Sequence, residues 1–152
     1  MDAFLFIDGI EGPVIAEGLE GSFEILSFNH AAHRGKGGSG GQHYGKIELS
    51  SFNVVRMLDK ATPLLWDMCF KNEPRPVTLK LSRSASDDSG AQEVFMSYIL
   101  DKARISSINV SGGTGSQAVE NITFLYDKID WDYAGTDGHS AAAYDLNTVT
   151  SG

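Results

Sequence analysis

The sequence predicts a mainly β protein, a closed or nearly closed antiparallel barrel or sandwich with one short α-helix inserted. Three features carry this expectation. About eight segments with strand patterning follow one another at short spacing, separated by turn residues. One stretch alone, Asp59 to Phe70, has helical spacing. The last long strand run changes parity between Tyr126 and Ile129, as a β-bulge or a bend at a barrel corner requires.

Taken in order, residues 2–8 read as a strand with Phe4 and Phe6 on one face and Ala3, Leu5 and Ile7 on the other. Asp8-Gly9 and Glu11-Gly12-Pro13 break it with turn chemistry. A second strand covers Ser22 to about His30, with Phe23, Ile25, Ser27 and Asn29 on one face and Glu24, Leu26 and Phe28 on the other. The first face turns from apolar to polar along its length, as in a strand passing from packed core to wet surface. Arg34 to Gly45 is then a glycine-rich loop, and strand pattern resumes at Lys46-Ile47-Glu48-Leu49 and at Phe52, Val54 and Val55.

In the helix, Thr62 offers its hydroxyl as a cap, and Pro63 occupies the first helical position, where its missing N–H costs nothing. Leu64, Leu65, Met68 and Cys69 form an apolar stripe, with Trp66 and Phe70 the largest side chains available for contact. Two turns of helix are too short to stand alone in water, so this one is expected to plug or cover the β-structure. Beyond it, Val77, Leu79 and Leu81 alternate with Thr78, Lys80 and Ser82, and Asp87-Asp88-Ser89-Gly90 reads as a hairpin turn. The return strand starts near Glu93, and its spacing lets it run through Ile105 and Ile108 to Ser111. Val119 to Tyr133 is the last long run. The tail from Ala134 is small and polar, with one further strand possible at Tyr144-Asp145-Leu146.

With 152 residues the chain reads as one domain, 1–152, able to bury a core without staples. Twelve Lys and Arg against 20 Asp and Glu give a net charge of −8, so a nucleic-acid backbone is not an expected partner. The single cysteine, Cys69, excludes an internal disulfide and lies on the helix stripe, where it reads as a small buried hydrophobe rather than a nucleophile. Met1-Asp2-Ala3-Phe4 lacks a basic segment and a long apolar run, so no signal peptide is expected, and no stretch has the ~20 apolar residues of a membrane span.

No catalytic set emerges. Lys36 precedes most of the glycines of its loop and no Gly-Lys-Ser/Thr occurs, so the phosphate-cradle reading fails. The loop reads as an excursion between strands, or as a segment that becomes ordered against another subunit. His30, His33 and His43 lack a cysteine or carboxylate at ligand spacing, so no metal is expected. There is no Gly-x-Ser-x-Gly elbow and no His-Glu-x-x-His, and Asp127, Asp130 and Asp132 fit a solvated strand. No enzyme activity and no cofactor are expected.

The order of these pieces resembles the Hcp family, the haemolysin-coregulated proteins of the bacterial type VI secretion system. The resemblance rests on Met1 to Gly12, on Phe23-Glu24-Ile25-Leu26-Ser27-Phe28, on the glycine loop ending Gly45-Lys46-Ile47, and on Asp59-Lys60-Ala61-Thr62-Pro63-Leu64-Leu65. It continues through Val77 to Leu81, Ile105 to Ile108, and Glu120-Asn121-Ile122-Thr123-Phe124 to Tyr133. It departs at Ala143-Tyr144-Asp145-Leu146, where the family often has Gly-Trp. The resemblance implies an antiparallel β-barrel with a helix on its side. Six copies would close into a ring, and rings would stack into the inner tube of the secretion machine.

Implied partners are further copies of the chain, the sheath and spike proteins, and small effectors in the lumen; membrane insertion is not implied. The protein would be assembled in the cytoplasm and released without a cleaved signal. The resemblance puts an extended loop, residues 34–45, on the ring-to-ring surface, and Arg34, Lys36, Gln42, His43 and Tyr44 are the side chains there able to anchor it. It also places the second strand along the channel; Ser27 and Asn29 are lumen candidates by their polarity alone, since an apolar face would be sticky in an open ring. Two rival readings are a phage-like tail-tube subunit and a monomeric ligand-binding barrel, the latter needing an exposed aromatic cluster where Trp66 and Trp131 look better placed for core.

Overall fold

The computed structural model describes residues 1–36, 44–85 and 91–147. Its elements run β1 (Asp2–Ile7), β2 (Phe23–Ile25), β3 (Ser27–Asn29), β4 (Ala32–Lys36), β5 (Tyr44–Leu49), β6 (Phe52–Met57), α1 (Thr62–Lys71), β7 (Arg75–Ser84), β8 (Gln92–Ser111), β9 (Val119–Leu125), β10 (Lys128–Gly135) and β11 (Gly138–Asp145). All strand pairs are antiparallel, in the order β2-β1-β7-β8-β9-β6-β3. β2 and β3 follow one another across the single residue Leu26, whose N–H donates to the Val55 carbonyl at 2.8 Å. The two ends of the path are therefore one bent strand, and the sheet closes into a barrel.

That bend corrects the expectation of one regular strand from Ser22 to His30. Phe23 and Ile25 are buried and Phe28 is half-buried, so parity switches at Leu26, and Ser27 and Asn29 do not share the face of Phe23 and Ile25. The cause is closure. The strand must leave β1, where Leu5 pairs with Phe23, and join β6, where Asn53 pairs with Asn29, and one residue is spent in the transfer.

β8 is the longest strand, 20 residues, and it turns the other corner. Along one edge it pairs with β7; along the other it pairs first with β10 and then with β9. The change of partner falls where Lys102 has φ 53° and where the pairing with β7 slips between Arg75 and Val77. Opposite this point β9 ends at Leu125 and β10 starts at Lys128, with the Asp127 N–H on the Asp101 carbonyl at 3.0 Å. The parity change read from Tyr126 and Ile129 is this corner.

The interior is one apolar cluster that includes Leu5, Phe23, Phe52, Val54, Leu79, Leu100, Ile122, Phe124 and Ile129. α1 covers one side by packing on β8, and Leu65 and Met68 are its buried residues, with Ala61 just before it. Phe70 is 76% exposed and Leu64 54%, against the expectation that both pack. The i, i+4, i+7 line from Ala61 through Leu65 to Met68 faces the barrel, and Leu64 and Phe70 lie off it.

Thr62 does not cap the helix. Its Oγ1 accepts the Asp59 N–H at 3.1 Å, while the Asp59 carboxylate accepts the Ala61 N–H at 2.8 Å. The pair locks the turn that precedes the helix. Asn72, at φ 51°, ends it in the left-handed conformation, its N–H on the Cys69 carbonyl at 3.2 Å.

The expected polar tail from Ala134 contains a full strand. β11 pairs with β10 from Lys128↔Asp145 to Gly135↔Gly138, so the strand expected at Tyr144 begins six residues earlier. The run His139-Ser140-Ala141-Ala142-Ala143 is exposed on both faces, and no alternation announces it in the sequence. The turn expected at Asp87 to Gly90 lies outside the described residues, though β7 and β8 form the hairpin it would close.

Candidate functional site

The glycine-rich stretch is anchored as a hairpin arm. Among the described residues β4 and β5 pair only with each other, forming a separate two-stranded sheet between β3 and β6 in the chain. Arg34 pairs with Ile47 and Lys36 with Tyr44, with an irregularity between the two pairs. The expectation of an unstructured loop from Arg34 to Gly45 is thereby corrected at its base. Ile47, Glu48 and Leu49 supply β-strand partners that a count of glycines hides. Gln42 and His43 lie outside the described residues.

At the root of the arm, the Ala31 N–H donates to Ser50 Oγ at 2.8 Å, and the Ser50 N–H returns to the Ala31 carbonyl at 2.8 Å. Farther out, His33 Nε2 meets Glu48 Oε2 at 3.0 Å, both largely exposed. Nearest the barrel, His30 stacks on Phe52 at 5.1 Å between ring centres, with Tyr126 and Trp131 at 6.0 and 6.2 Å. Its ring nitrogens are buried without a well-formed hydrogen bond, and burial pushes its pKa below 6.5 despite the nearby Ser50 and Ser51 backbone. Tyr126, pushed up to about 12 by burial, donates its hydroxyl to the Ser50 carbonyl at 2.9 Å. The arm thus springs from an aromatic platform.

Ser27 and Asn29, the two polar residues of β3, are both exposed, on the strand that closes the barrel. Trp131 is half-buried against His30, beside an open cleft of about 550 Å³ that Phe28, Asn29 and Tyr98 also line.

A second constellation joins the motifs that the sequence kept apart. Arg56 is 1% exposed and Glu120 0%, and Arg56 Nη1 meets Glu120 Oε1 at 2.5 Å across the β6–β9 pair. Arg56 Nη2 reaches Asp59 Oδ1 at 2.5 Å, and Trp66 Nε1 donates to Glu120 Oε2 at 3.2 Å. The guanidinium also lies over the Phe23 ring, 4.8 Å from its centre. One buried ion pair ties the start of the helix to two barrel strands, so Asp59 and Glu120 hold the fold together. Trp66 is accordingly a half-buried hydrogen-bond donor rather than a plain core residue. The sequence does carry the signal: Arg56 continues the parity of Phe52 and Val54, and Glu120 that of Ile122 and Phe124.

Among the described residues no group of three or more His, Cys, Asp or Glu is placed to hold a metal ion. Among the described residues no helix is long and apolar enough to cross a membrane. The described residues form a closed barrel with the β4–β5 hairpin set apart from its sheet.

The comparisons with known proteins give that design a family. Residues 4–133 match the family model described as "Type VI secretion system effector, Hcp", and the chain belongs to the Hcp family. Among solved structures it is similar to a type VI secretion system effector from Yersinia pestis, at 23% identity and TM-score 0.78, over 95% of this chain and 99% of that one. It is similar also to Hcp1 from Salmonella typhimurium, at 19% identity and TM-score 0.82, over 97% and 95% of the two chains. A third is the secreted protein Hcp3 from Pseudomonas aeruginosa, at 23% identity and TM-score 0.71, over 94% and 98%. No curated protein matches the chain.

Proposed function

We propose that the protein is a structural subunit of a type VI secretion inner tube. Six copies close into a ring, rings stack end to end, and the tube is expelled from the cell. The observation that carries this reading is the arm: a hairpin rooted in the barrel and paired only with itself, in a chain matched by the Hcp family model over 4–133. An arm of this kind has β4 and β5 edges that no other strand among the described residues pairs with, and in an assembly such edges meet another copy.

On this reading Arg34, Lys36, Gln42, His43 and Tyr44 meet the neighbouring ring. Rim ion pairs are worth about 0–1 kcal/mol each, but six copies act together. Ser27 and Asn29, exposed and polar, face a lumen that holds small effector proteins, where an apolar wall would bind indiscriminately. Sheath and spike proteins are the outer and terminal partners.

The test replaces Gly35 to Gly41 by a short Gly-Ser link. Rings persist on gel filtration, while tubes seen by negative stain at high protein concentration disappear and secretion stops. If the shortened protein polymerises as readily as the parent, the arm is a connector and the reading fails.

A further inference from the structure

Trp131, expected in the core, stands where the core runs out. One face of β8 and β10 carries Leu100 opposite Ile129, both buried. Two residues farther along, the same face carries Tyr98 opposite Trp131, and then Met96 opposite Tyr133, all four half-buried. The wall across from this face ends too early to cover it. Phe28 of β3 meets the Tyr98 ring at 6.0 Å between centres, and β3 stops one residue later at Asn29.

Two open clefts share the indole of Trp131. The larger, of about 550 Å³, lies between Trp131, Tyr98, Phe28 and Asn29. The smaller, of about 150 Å³, has Met96, Tyr133 and Ala142 among its lining. On β11 the residue paired with Trp131 is Ala142, whose single methyl group covers little of an indole. The small residues of β11 thus leave open a ring that a larger neighbour would have covered.

The larger cleft also carries polar groups that the chain itself does not use. Among the described residues the Asn29 amide, the Tyr98 hydroxyl and the Trp131 N–H have no hydrogen-bond partner, and neither of the two ring groups is sealed from solvent. Burial pushes the Tyr98 pKa up, so its hydroxyl stays a neutral donor and acceptor. His30 adds no charge at neutral pH, because burial holds its pKa below 6.5. No Lys, Arg, Asp or Glu is found in the described lining.

That combination selects the chemistry of a ligand. A phosphate or carboxylate would meet no cation there, and an ammonium no carboxylate. A hydrocarbon chain would cover the three polar groups and give them no partner, at the full cost of their desolvation. A saccharide supplies both halves of the match. Its C–H faces lie on aromatic rings, and the hydroxyls at its edge donate and accept in turn. The volume falls within the range of small-molecule sites.

We propose that the Trp131 cleft is a binding site for an uncharged saccharide. Sugar rings lie against Trp131, Tyr98 and Phe28, while the Asn29 amide, the Tyr98 hydroxyl and the Trp131 N–H bond to sugar hydroxyls. The smaller cleft, sharing the same indole, gives a second sugar unit its place. All of these residues come from one chain, so the inference goes beyond the tube reading and does not rest on it.

The test titrates the full chain with cellobiose and with diacetylchitobiose, followed by calorimetry and tryptophan fluorescence, with glucuronic acid as the charged control. One of the two neutral disaccharides binds saturably, and glucuronic acid binds about tenfold more weakly or not at all. Tyr98→Phe and Asn29→Ala, each removing one hydrogen-bonding group, weaken binding about three- to tenfold. Trp131→Ala abolishes it. Melting by circular dichroism checks the fold of each variant, and Tyr98→Phe, which keeps the ring, carries the argument if Trp131→Ala unfolds. Absence of saturable binding by both disaccharides overturns the inference, as does binding that Tyr98→Phe and Asn29→Ala leave unchanged. Binding that is lost as the protein assembles means that a second copy covers the cleft, and overturns it too. None of these outcomes bears on the tube reading, which the mass of the assembly tests separately.

Discussion

Replacing Glu120 by Ala should destabilise the barrel more than any single surface change. Glu120 is 0% exposed and holds two partners, Arg56 Nη1 at 2.5 Å and Trp66 Nε1 at 3.2 Å. Removing one member of a buried pair leaves the other charge without compensation, at about 3–5 kcal/mol. Arg56 keeps Asp59, which is partly exposed and so compensates incompletely. The lost Trp66 bond adds to the penalty, so about 4 kcal/mol is expected in all. In a domain of this length that lowers Tm by about 8–16 °C.

Replacing both charges, Arg56→Met with Glu120→Leu, should cost less than Glu120→Ala alone, since no buried charge is left stranded. The assay is thermal and urea unfolding by circular dichroism at one fixed protein concentration, because assembly itself stabilises the fold. A loss below about 1 kcal/mol for Glu120→Ala, or a double variant weaker than the single, would refute the view that this pair is a desolvated charge network.

Two further outcomes follow from the platform and from β3. Burial holds the folded pKa of His30 below 6.5, so the unfolded chain binds the proton first and stability is lost as pH falls below about 6.5 toward the folded value. His30→Phe should flatten that part of the stability profile in urea melts at stepped pH, and an unchanged slope would place the titration elsewhere. On the proposed six-membered ring, Asn29→Arg would put six positive charges around one circumference; co-purified effector should change in amount while gel filtration still gives the ring. Loss of the ring would instead put Asn29 in a subunit interface.

Much of the barrel is legible in the sequence because its signals are local. The alternation Val77-Thr78-Leu79-Lys80-Leu81 records one buried face, and the parity change after Tyr126 records a corner in the backbone itself. What stays hidden depends on partners distant in the chain. The break at Leu26 exists because β2 and β3 must reach different neighbours, and no residue at 26 announces it. Arg56 and Glu120 are 64 residues apart; strand parity puts each on a buried face, but that they meet is visible only once β6 and β9 pair. The helix's buried face is set by where β8 lies, so Phe70, the more hydrophobic choice, is left outside. β11 has no apolar alternation at all; it is a strand because β10 offers it an edge. Of the candidate assembly residues, the polarity of Ser27 and Asn29 could be read directly, whereas the pairing of Arg34 and Lys36 within an arm could not, since glycine content masks the strand on the return side.

The most direct test of the central claim, that this barrel is a tube subunit, is the mass of the native assembly. Native mass spectrometry of the purified protein, over a range of concentrations, should give a species of six times 16.4 kDa, with multiples of that ring as concentration rises. A single 16.4 kDa species at every concentration would contradict it.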